Sequence, residues 1–138
     1  MRIISGHFKG RKIIQPKNRI TRPLKDLTKE SIFNILHHSK KIKIDLNKSS
    51  ILDLFSGVGS FGLECISRGA KKVVFCENYP DSIEILKRNI ANLGCIKKSE
   101  VITENIFKIK KIEKIYNKKF DLIFCDPPYK EKKLNYLL

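Results

Sequence analysis

The chain has 138 residues, 41% of them hydrophobic, and a formal net charge of +15 at pH 7. This length suits one domain with a buried core, and no segment has the roughly 20 consecutive apolar residues of a membrane span or the pattern of a signal peptide. The excess of Lys and Arg favours nucleic acid as a partner, because neutralising phosphates dominates nonspecific binding, although a codon bias towards Lys, Ile and Asn would give the same excess.

Residues 1–25 are predicted to form a basic N-terminal arm. Two short apolar runs around a glycine-containing turn favour a small β-hairpin within residues 2–16, and a proline-containing linker follows it. Residues 26–138 are taken as the main domain. The arm side chains that we expect to bind nucleic-acid phosphates are Arg2, Lys9, Arg11, Lys12 and Arg22.

The main domain is predicted to alternate helices with strands. The first helix is predicted near 26–39, with an apolar face formed by Leu27, Ile32, Phe33, Ile35 and Leu36. Strands are predicted at 50–55, 71–77, 101–103 and 120–126. Further helices are predicted from a glycine-rich loop to about residue 68 and over 81–93, with a basic helix or irregular loop at 106–116. This alternation predicts an α/β fold in which right-handed crossovers build a parallel sheet with helices on both faces.

A glycine-rich loop, Gly57-x-Gly59-x-x-Gly62, follows the first strand and begins a helix. Glycines at these positions permit a tight turn and let the backbone approach a ligand closely. Glu77, at the end of the second strand, could accept hydrogen bonds from both hydroxyls of a ribose. The loop and this carboxylate together indicate an adenosine-containing cofactor bound to a Rossmann-like sheet. Asp53 would disfavour the pyrophosphate of NAD or FAD, so it favours S-adenosylmethionine.

The fourth predicted strand ends in the turn Asp126-Pro127-Pro128-Tyr129. The two prolines fix φ and remove two backbone donors, so the strand must stop there. The turn presents a carboxylate, exposed carbonyl groups and an aromatic ring, which suits binding a flat ring that carries an amino group. Hydride transfer has no evident use for such a turn. The plain structural alternative is a strand end with an incidental Tyr.

The cysteines and histidines predict no metal site. The three histidines form no ligand pattern, and the four cysteines lack C-x-x-C spacing and lie mostly in apolar runs. Reduced, buried thiols in a cytoplasmic protein are therefore expected. The cysteines are Cys65, Cys76, Cys95 and Cys125.

These motifs resemble those of class I S-adenosylmethionine-dependent methyltransferases that act on exocyclic amines. The matching segments are 53–62, Glu77 and 126–129. The N-terminal segments 2–12, 21–26 and 29–34 are similar to those of the bacterial 16S ribosomal RNA guanine-N2 methyltransferases, the RsmD family. The resemblance covers essentially the whole chain. It implies methylation of the exocyclic N2 amine of a guanine in 16S ribosomal RNA, with the small ribosomal subunit as partner.

The resemblance also implies roles for individual residues. Asp126 and Pro127 would orient the guanine amine, and Tyr129 would stack on the base. Asp53 and the glycine-rich loop would hold the methionine end of S-adenosylmethionine, Glu77 its ribose, and the two residues after the third strand its adenine. The implied cofactor-binding residues are Asp53, Phe55, Gly57, Gly59, Gly62, Glu77, Asn105 and Ile106.

The family's fold continues with three further strands, whereas this chain stops at Leu138, just after the fourth strand. We therefore expect a C-terminally shortened sheet whose fourth strand is an exposed edge. A monomer is expected, with dimerisation through that strand as the alternative. Three other functions stay open: a noncatalytic RNA-binding remnant, an adenine-N6 or cytosine-N4 nucleic-acid methyltransferase, and a protein glutamine methyltransferase, which the charge disfavours.

Overall fold

The computed structural model describes residues 1–17, 24–108, 115, 117, 119–128 and 131–133. The α-helices within these ranges are α1 (Asp26–His38), α2 (Ser60–Ser67) and α3 (Pro80–Asn92). The strands are β1 (Ser50–Leu54), β2 (Lys72–Cys76), β3 (Ser99–Ile102) and β4 (Leu122–Cys125). Short 3-10 helices occupy Ile96–Lys98 and Ile106–Lys108, and most of the segment predicted at 106–116 lies outside the described residues.

The four strands form one parallel sheet in the order β3-β2-β1-β4, which confirms the predicted parallel α/β sheet. Because all strands run the same way, their carboxyl ends meet at one edge. The chain moves from β1 to β2 and β3 on one side, while β4 lies on the other side of β1. This topological switch point between β1 and β4 is where open α/β sheets form their ligand crevice.

The two faces of the sheet are covered differently. The larger hydrophobic cluster joins all three described α-helices to one face, where Ile51, Val73 and Phe75 are fully buried. The smaller cluster covers the opposite face, where Leu52 and Val74 pack with the 3-10 helix that follows β3. Helices α1, α2 and α3 thus lie on one face, whereas Ile115, a helical residue, is buried in the cluster on the other face.

The predicted apolar face of α1 is wrong at two positions. Leu27 and Ile35 are 75% and 59% exposed, whereas Phe33 and Leu36 are buried. The buried stripe follows i, i+4, i+7 spacing and begins at Lys29, which is fully buried, so the helix is rotated away from the predicted face.

Strand β4 pairs with β1 and lies at an edge of the described sheet. Its residue Ile123 is 49% exposed. The expectation of an edge strand is confirmed for this part of the chain.

The N-terminal arm contains an antiparallel bridge between Arg2 and Lys12 in place of two full strands. The amide of Ile3 donates to the carbonyl of Arg11 at 2.9 Å, and the amide of Ile13 donates to that of Met1 at 3.1 Å. Ile3 and Ile13 are buried in the larger hydrophobic cluster. The predicted hairpin is therefore minimal, and it packs directly on the sheet domain.

A buried carboxylate anchors the arm. Glu64 of α2 accepts hydrogen bonds from the backbone amides of Ile4 and Ser5 at 2.8 and 2.9 Å. Its oxygens also pair with Arg68 Nε at 2.9 Å and with Lys29 Nζ at 3.5 Å. Two cations and two amides thus compensate the burial of Glu64, as a buried charge requires.

Two findings bear on the broad class of protein. None of the described helices combines the length and apolar composition that crossing a bilayer requires. All four cysteines are free thiols, and Cys65, Cys76 and Cys95 are buried, as predicted.

Candidate cofactor and base clefts

Two adjoining clefts open at the carboxyl edge of the sheet. The first, here called the adenosine cleft, is lined among others by Phe55, Glu77, Asn105, Ile106 and Phe107. The second, here called the transfer cleft, lies at the switch point between β1 and β4. Its lining includes Asp53, Phe55, Gly57, Phe61, Phe124 and Asp126. Phe55 lines both clefts, so a ligand extending past this side chain would occupy both.

The glycine-rich loop needs its glycines for different reasons. Gly57 has φ of 54° and Gly59 has φ of 87°, a left-handed conformation that favours glycine. A Cβ at Gly57 would meet nothing within 4 Å, so the backbone there is open to a ligand. A Cβ at Gly59 would lie 2.5 Å from Leu86 Cδ1, and one at Gly62 would lie 2.3 Å from Phe75 Cε1. Gly59 and Gly62 therefore secure close packing, and Gly57 faces the transfer cleft.

The carboxylate of Glu77 is fixed by three backbone amides. One oxygen accepts from Gly57 at 2.7 Å, and the other accepts from Asn78 and Tyr79 at 2.9 Å each. These bonds tie the end of β2 to the glycine-rich loop. A carboxylate has about four lone-pair sites, so the Glu77 oxygen that accepts from Gly57 keeps one site for a ribose hydroxyl at the wall of the adenosine cleft.

Asp53 lies at the bottom of the transfer cleft and is only 1% exposed. Its Oδ2 accepts a hydrogen bond from the amide of Gly62 at 3.0 Å. Burial raises the pKa of Asp53 to about 8, and the nearby charges of Asp126 and Glu77 act in the same direction, against the amide bond. A cation placed in this cleft would stabilise the ionised form of Asp53.

Asp126 is exposed at the end of β4, where it lines the transfer cleft. The wall beside it is aromatic: the rings of Phe61 and Phe124 stack with centroids 3.8 Å apart and planes 11° from parallel. Pro127 follows and is half-buried. Tyr129 lies outside the described residues.

The far end of the adenosine cleft is built by the turn after β3. Asn105 Oδ1 accepts a hydrogen bond from the amide of Phe107 at 2.9 Å, and Ile106 is buried between them in sequence. The ring of Phe107 lies 5.9 Å from that of Phe55. Sequence reasoning missed Phe107, although an aromatic residue two positions after a predicted adenine contact was a usable signal.

The two clefts together suit S-adenosylmethionine. The carboxylate of Glu77 can accept from a ribose hydroxyl, and that of Asp53 suits a cationic methionine end. Ser60 Oγ, at the start of α2, lines the transfer cleft and is buried without a hydrogen-bond partner in the described structure. An orphaned hydroxyl at that point could donate to the carboxylate of the methionine end.

The predicted phosphate-binding residues differ in their surroundings. Arg2, Lys9 and Lys12 are exposed. Arg11 is exposed too, but its Nη2 donates to the carbonyl of Asn92 at 2.7 Å, which gives it a role in docking the arm on α3. Arg22 lies outside the described residues.

Comparison with known proteins gives consistent matches along the chain. The family model described as Conserved hypothetical protein 95 matches residues 1–138. Ribosomal RNA small subunit methyltransferase D of Haemophilus influenzae is 36% identical over 94% of this chain and 64% of its own length. YlbH of Bacillus subtilis is 36% identical over the whole chain and 72% of its own length. The solved structure of yhhF from Escherichia coli has a TM-score of 0.74 and 28% identity, covering 97% of this chain and 67% of that one.

The chain thus spans 64% to 72% of the length of these three proteins. The resemblance read from the glycine-rich loop, Glu77, the Asp-Pro-Pro-Tyr turn and the basic arm is confirmed by the family model, whose match spans residues 1–138. The chain belongs to the family described as Conserved hypothetical protein 95, that of ribosomal RNA small subunit methyltransferase D.

Proposed function

We propose that the protein transfers a methyl group from S-adenosylmethionine to the exocyclic N2 amine of a guanine in 16S ribosomal RNA. The observation that carries this proposal is the junction of the two clefts at Phe55, with Glu77 in one cleft and Asp126 in the other. A cofactor bound through Glu77 would direct its reactive end towards Asp126. The named relative from Haemophilus influenzae supports ribosomal RNA as the substrate.

The cofactor would be held by the residues that fit its parts. Glu77 would bind the ribose, Asn105 and Ile106 the adenine, and Asp53 with Gly57 the methionine end. When bound, S-adenosylmethionine supplies an electrophilic methyl group, so the protein needs no covalent intermediate of its own.

The chain's own contribution is to position and polarise the amine. The lone pair of the guanine N2 amine is delocalised into the ring, which makes it a weak nucleophile. Hydrogen bonds from the amine to the Asp126 carboxylate and the Pro127 carbonyl would draw electron density onto nitrogen. They would also aim its lone pair at the methyl group, and orientation of this kind lowers the barrier of a bimolecular step.

The base must reach the transfer cleft without its neighbours in the RNA. Enzymes that modify bases draw them out of the stack or act on single strands. Stacking on Tyr129 would stabilise an extruded base by about 1–3 kcal/mol. The exposed cations of the arm, Arg2, Lys9 and Lys12, would bind phosphates and so supply affinity without choosing the sequence. The proposal places the protein in the cytoplasm, with ribosomal RNA.

The test of this proposal is the variant Asp126→Ala. Transfer of tritiated methyl groups to small ribosomal subunits should fall at least 100-fold, as is typical when an essential proton or hydrogen-bond acceptor is lost. Binding of S-adenosylhomocysteine, followed by calorimetry, should change by less than about threefold, because Asp126 is not among the residues proposed to hold the cofactor.

The matched control is Asp81→Ala, which removes an exposed carboxylate from the first turn of α3, the helix that links β2 to β3. It should retain transfer. Near-normal transfer by Asp126→Ala would contradict the role of the turn, and wild-type protein that binds RNA but no cofactor would favour the noncatalytic alternative.

A further inference from the structure

One side chain links the basic arm to the glycine-rich loop. Asn89 of α3 is 2% exposed, and it lies 75 residues from Ile14 of the arm. Its Oδ1 accepts a hydrogen bond from the amide of Ile14 at 2.8 Å, and its Nδ2 donates to the carbonyl of Ile14 at 3.1 Å. The same Nδ2 donates to the carbonyl of Val58 at 3.1 Å. Asn89 thus bonds two segments that are distant in sequence.

The partners determine the orientation of this amide. An asparagine side chain has one carbonyl acceptor and two N–H donors, and here an amide faces the oxygen while two carbonyls face the nitrogen. All three contacts are made inside the protein, where an unpaired polar group is costly. The connection is therefore specific to Asn at this position: Asp lacks the donors, and Leu lacks both functions.

Both segments that Asn89 holds are walls of the transfer cleft. Val58 lies in the lining, and so does Pro16, two residues after Ile14. Leu86, one turn before Asn89 on α3, contacts the same loop, since a Cβ on Gly59 would lie 2.5 Å from it. Because Asn89 of α3 is bonded to both walls, it sets the distance between them.

We propose that Asn89 is a positioning residue that couples RNA binding at the arm to cofactor binding at the glycine-rich loop. RNA held by the arm fixes the segment around Ile14, and Asn89 passes this constraint to Val58 in the loop that holds the methionine end of the cofactor. Coupling between two binding sites is reciprocal, so the cofactor strengthens RNA binding by the same factor. This inference rests on the proposed function, since it requires both ligands.

The experiment measures the affinity for S-adenosylhomocysteine by calorimetry with and without a 16S ribosomal RNA transcript. The RNA should tighten cofactor binding of the wild-type chain about fivefold or more, within the range usual for coupled sites. In Asn89→Ala the effect should fall below twofold. Asn89→Asp keeps the acceptor for the Ile14 amide but loses the donations to the carbonyls of Ile14 and Val58. It should therefore lose the coupling while one of the two bonds to the arm remains.

Ser67→Ala is the matched control. Ser67 is 4% exposed and also bonds the arm, accepting from the amide of Phe8 at 2.9 Å and donating to the carbonyl of Ser5 at 2.6 Å. It has no bond to the loop among the described contacts. If Asn89 acted only by anchoring the arm, Ser67→Ala would lose the coupling equally; the proposal expects it to keep the fivefold effect.

The outcomes separate this inference from the proposed function. Wild-type protein that binds both ligands with no mutual effect, or an Asn89→Asp variant that keeps the full effect, would overturn the inference and leave the proposed methyl transfer intact. Wild-type protein that binds no cofactor would overturn both. Thermal unfolding shows whether each variant folds. If one of the two Asn89 variants does not fold, the coupling measured in the other decides the test.

Discussion

The carboxyl group of Asp53 is almost completely buried at the carboxyl edge of the sheet. It is buried with a backbone amide as its described partner, and burial raises its pKa to about 8. The free protein therefore holds much of Asp53 protonated at neutral pH. In the proposed complex a cation would stand beside it, which favours the ionised form.

This arrangement predicts a pH-dependent affinity for S-adenosylmethionine. Because the bound cation lowers the pKa of Asp53, binding releases a proton, and affinity should rise with pH between 6 and 7.5, by at most about tenfold per unit. Asp53→Asn keeps an oxygen for the Gly62 amide and has no proton to release, so its affinity should be flat over this interval. Calorimetry at several pH values measures the affinity of the wild-type protein and of Asp53→Asn. If the affinity changes equally with pH in the two proteins, Asp53 is excluded as the titrating group.

The same shift affects folding. The folded-state pKa of Asp53 is raised from 3.8, so its contribution to stability is complete below about pH 4 and is lost as the pH rises towards 8. A buried carboxyl group at this position therefore lowers the free energy of unfolding at neutral pH, so stability does not explain its presence.

At the scale of elements, the N-terminal arm is held by hydrogen bonds to α2. The amide of His7 donates to the Ser67 carbonyl at 2.8 Å, and the amide of Phe8 donates to the Ser67 hydroxyl. Gly6 has φ of 81°, and a Cβ there would lie 2.0 Å from the Ser67 carbonyl oxygen. The arm can therefore approach α2 this closely only with glycine at position 6.

Two glycines of the arm allow a matched comparison. Gly10 has φ of 83°, and a Cβ there would meet nothing within 4 Å. Gly10→Ala should cost about 1 kcal/mol of unfolding free energy, the usual strain of a left-handed residue. Gly6→Ala has the same backbone strain, and in addition its Cβ collides with the Ser67 carbonyl oxygen and the hydrogen bonds to Ser67 are lost. It should therefore cost about 3 kcal/mol of unfolding free energy. Urea unfolding measures both, and equal losses would show that the arm is not packed as described.

The elements were largely predictable from sequence because their signals are local. Alternating apolar runs and glycine-containing turns predicted the four strands, and β3 begins only two residues before its predicted start. The exposed side chains of Leu27 and Ile35 were not predictable from α1 alone. The rotation of that helix follows from Lys29, which reaches Glu64 on another helix, and a contact of this kind is invisible in local sequence.

The candidate site was predictable where a motif determines backbone shape. The glycine-rich loop and Glu77 lie where their spacing after strands placed them, and Asn105, which the resemblance implied, lines the same cleft as Glu77. Asn89 was missed because its partners, Ile14 and Val58, contribute backbone atoms, and any residue type can supply those. The anchoring role of Glu64 left a weak signal, since it is the single charged residue of α2.

At the scale of the whole molecule, charge is distributed unevenly about the sheet. The carboxyl edge carries acidic groups, among them Asp53, Glu77 and Asp126, while the net charge of the chain is +15. An acidic cleft suits a cationic cofactor, and phosphates would bind to the basic arm beside it. This division allows one small chain to receive ligands of opposite charge.

Analysis of the methylated nucleoside tests the proposed methyl transfer to the N2 amine of guanine. The chain would be incubated with tritiated S-adenosylmethionine and either small ribosomal subunits or free 16S ribosomal RNA, and the RNA digested to nucleosides. We expect the label to co-elute with N2-methylguanosine. Label in N6-methyladenosine or N4-methylcytidine, or no label in either RNA, would contradict it.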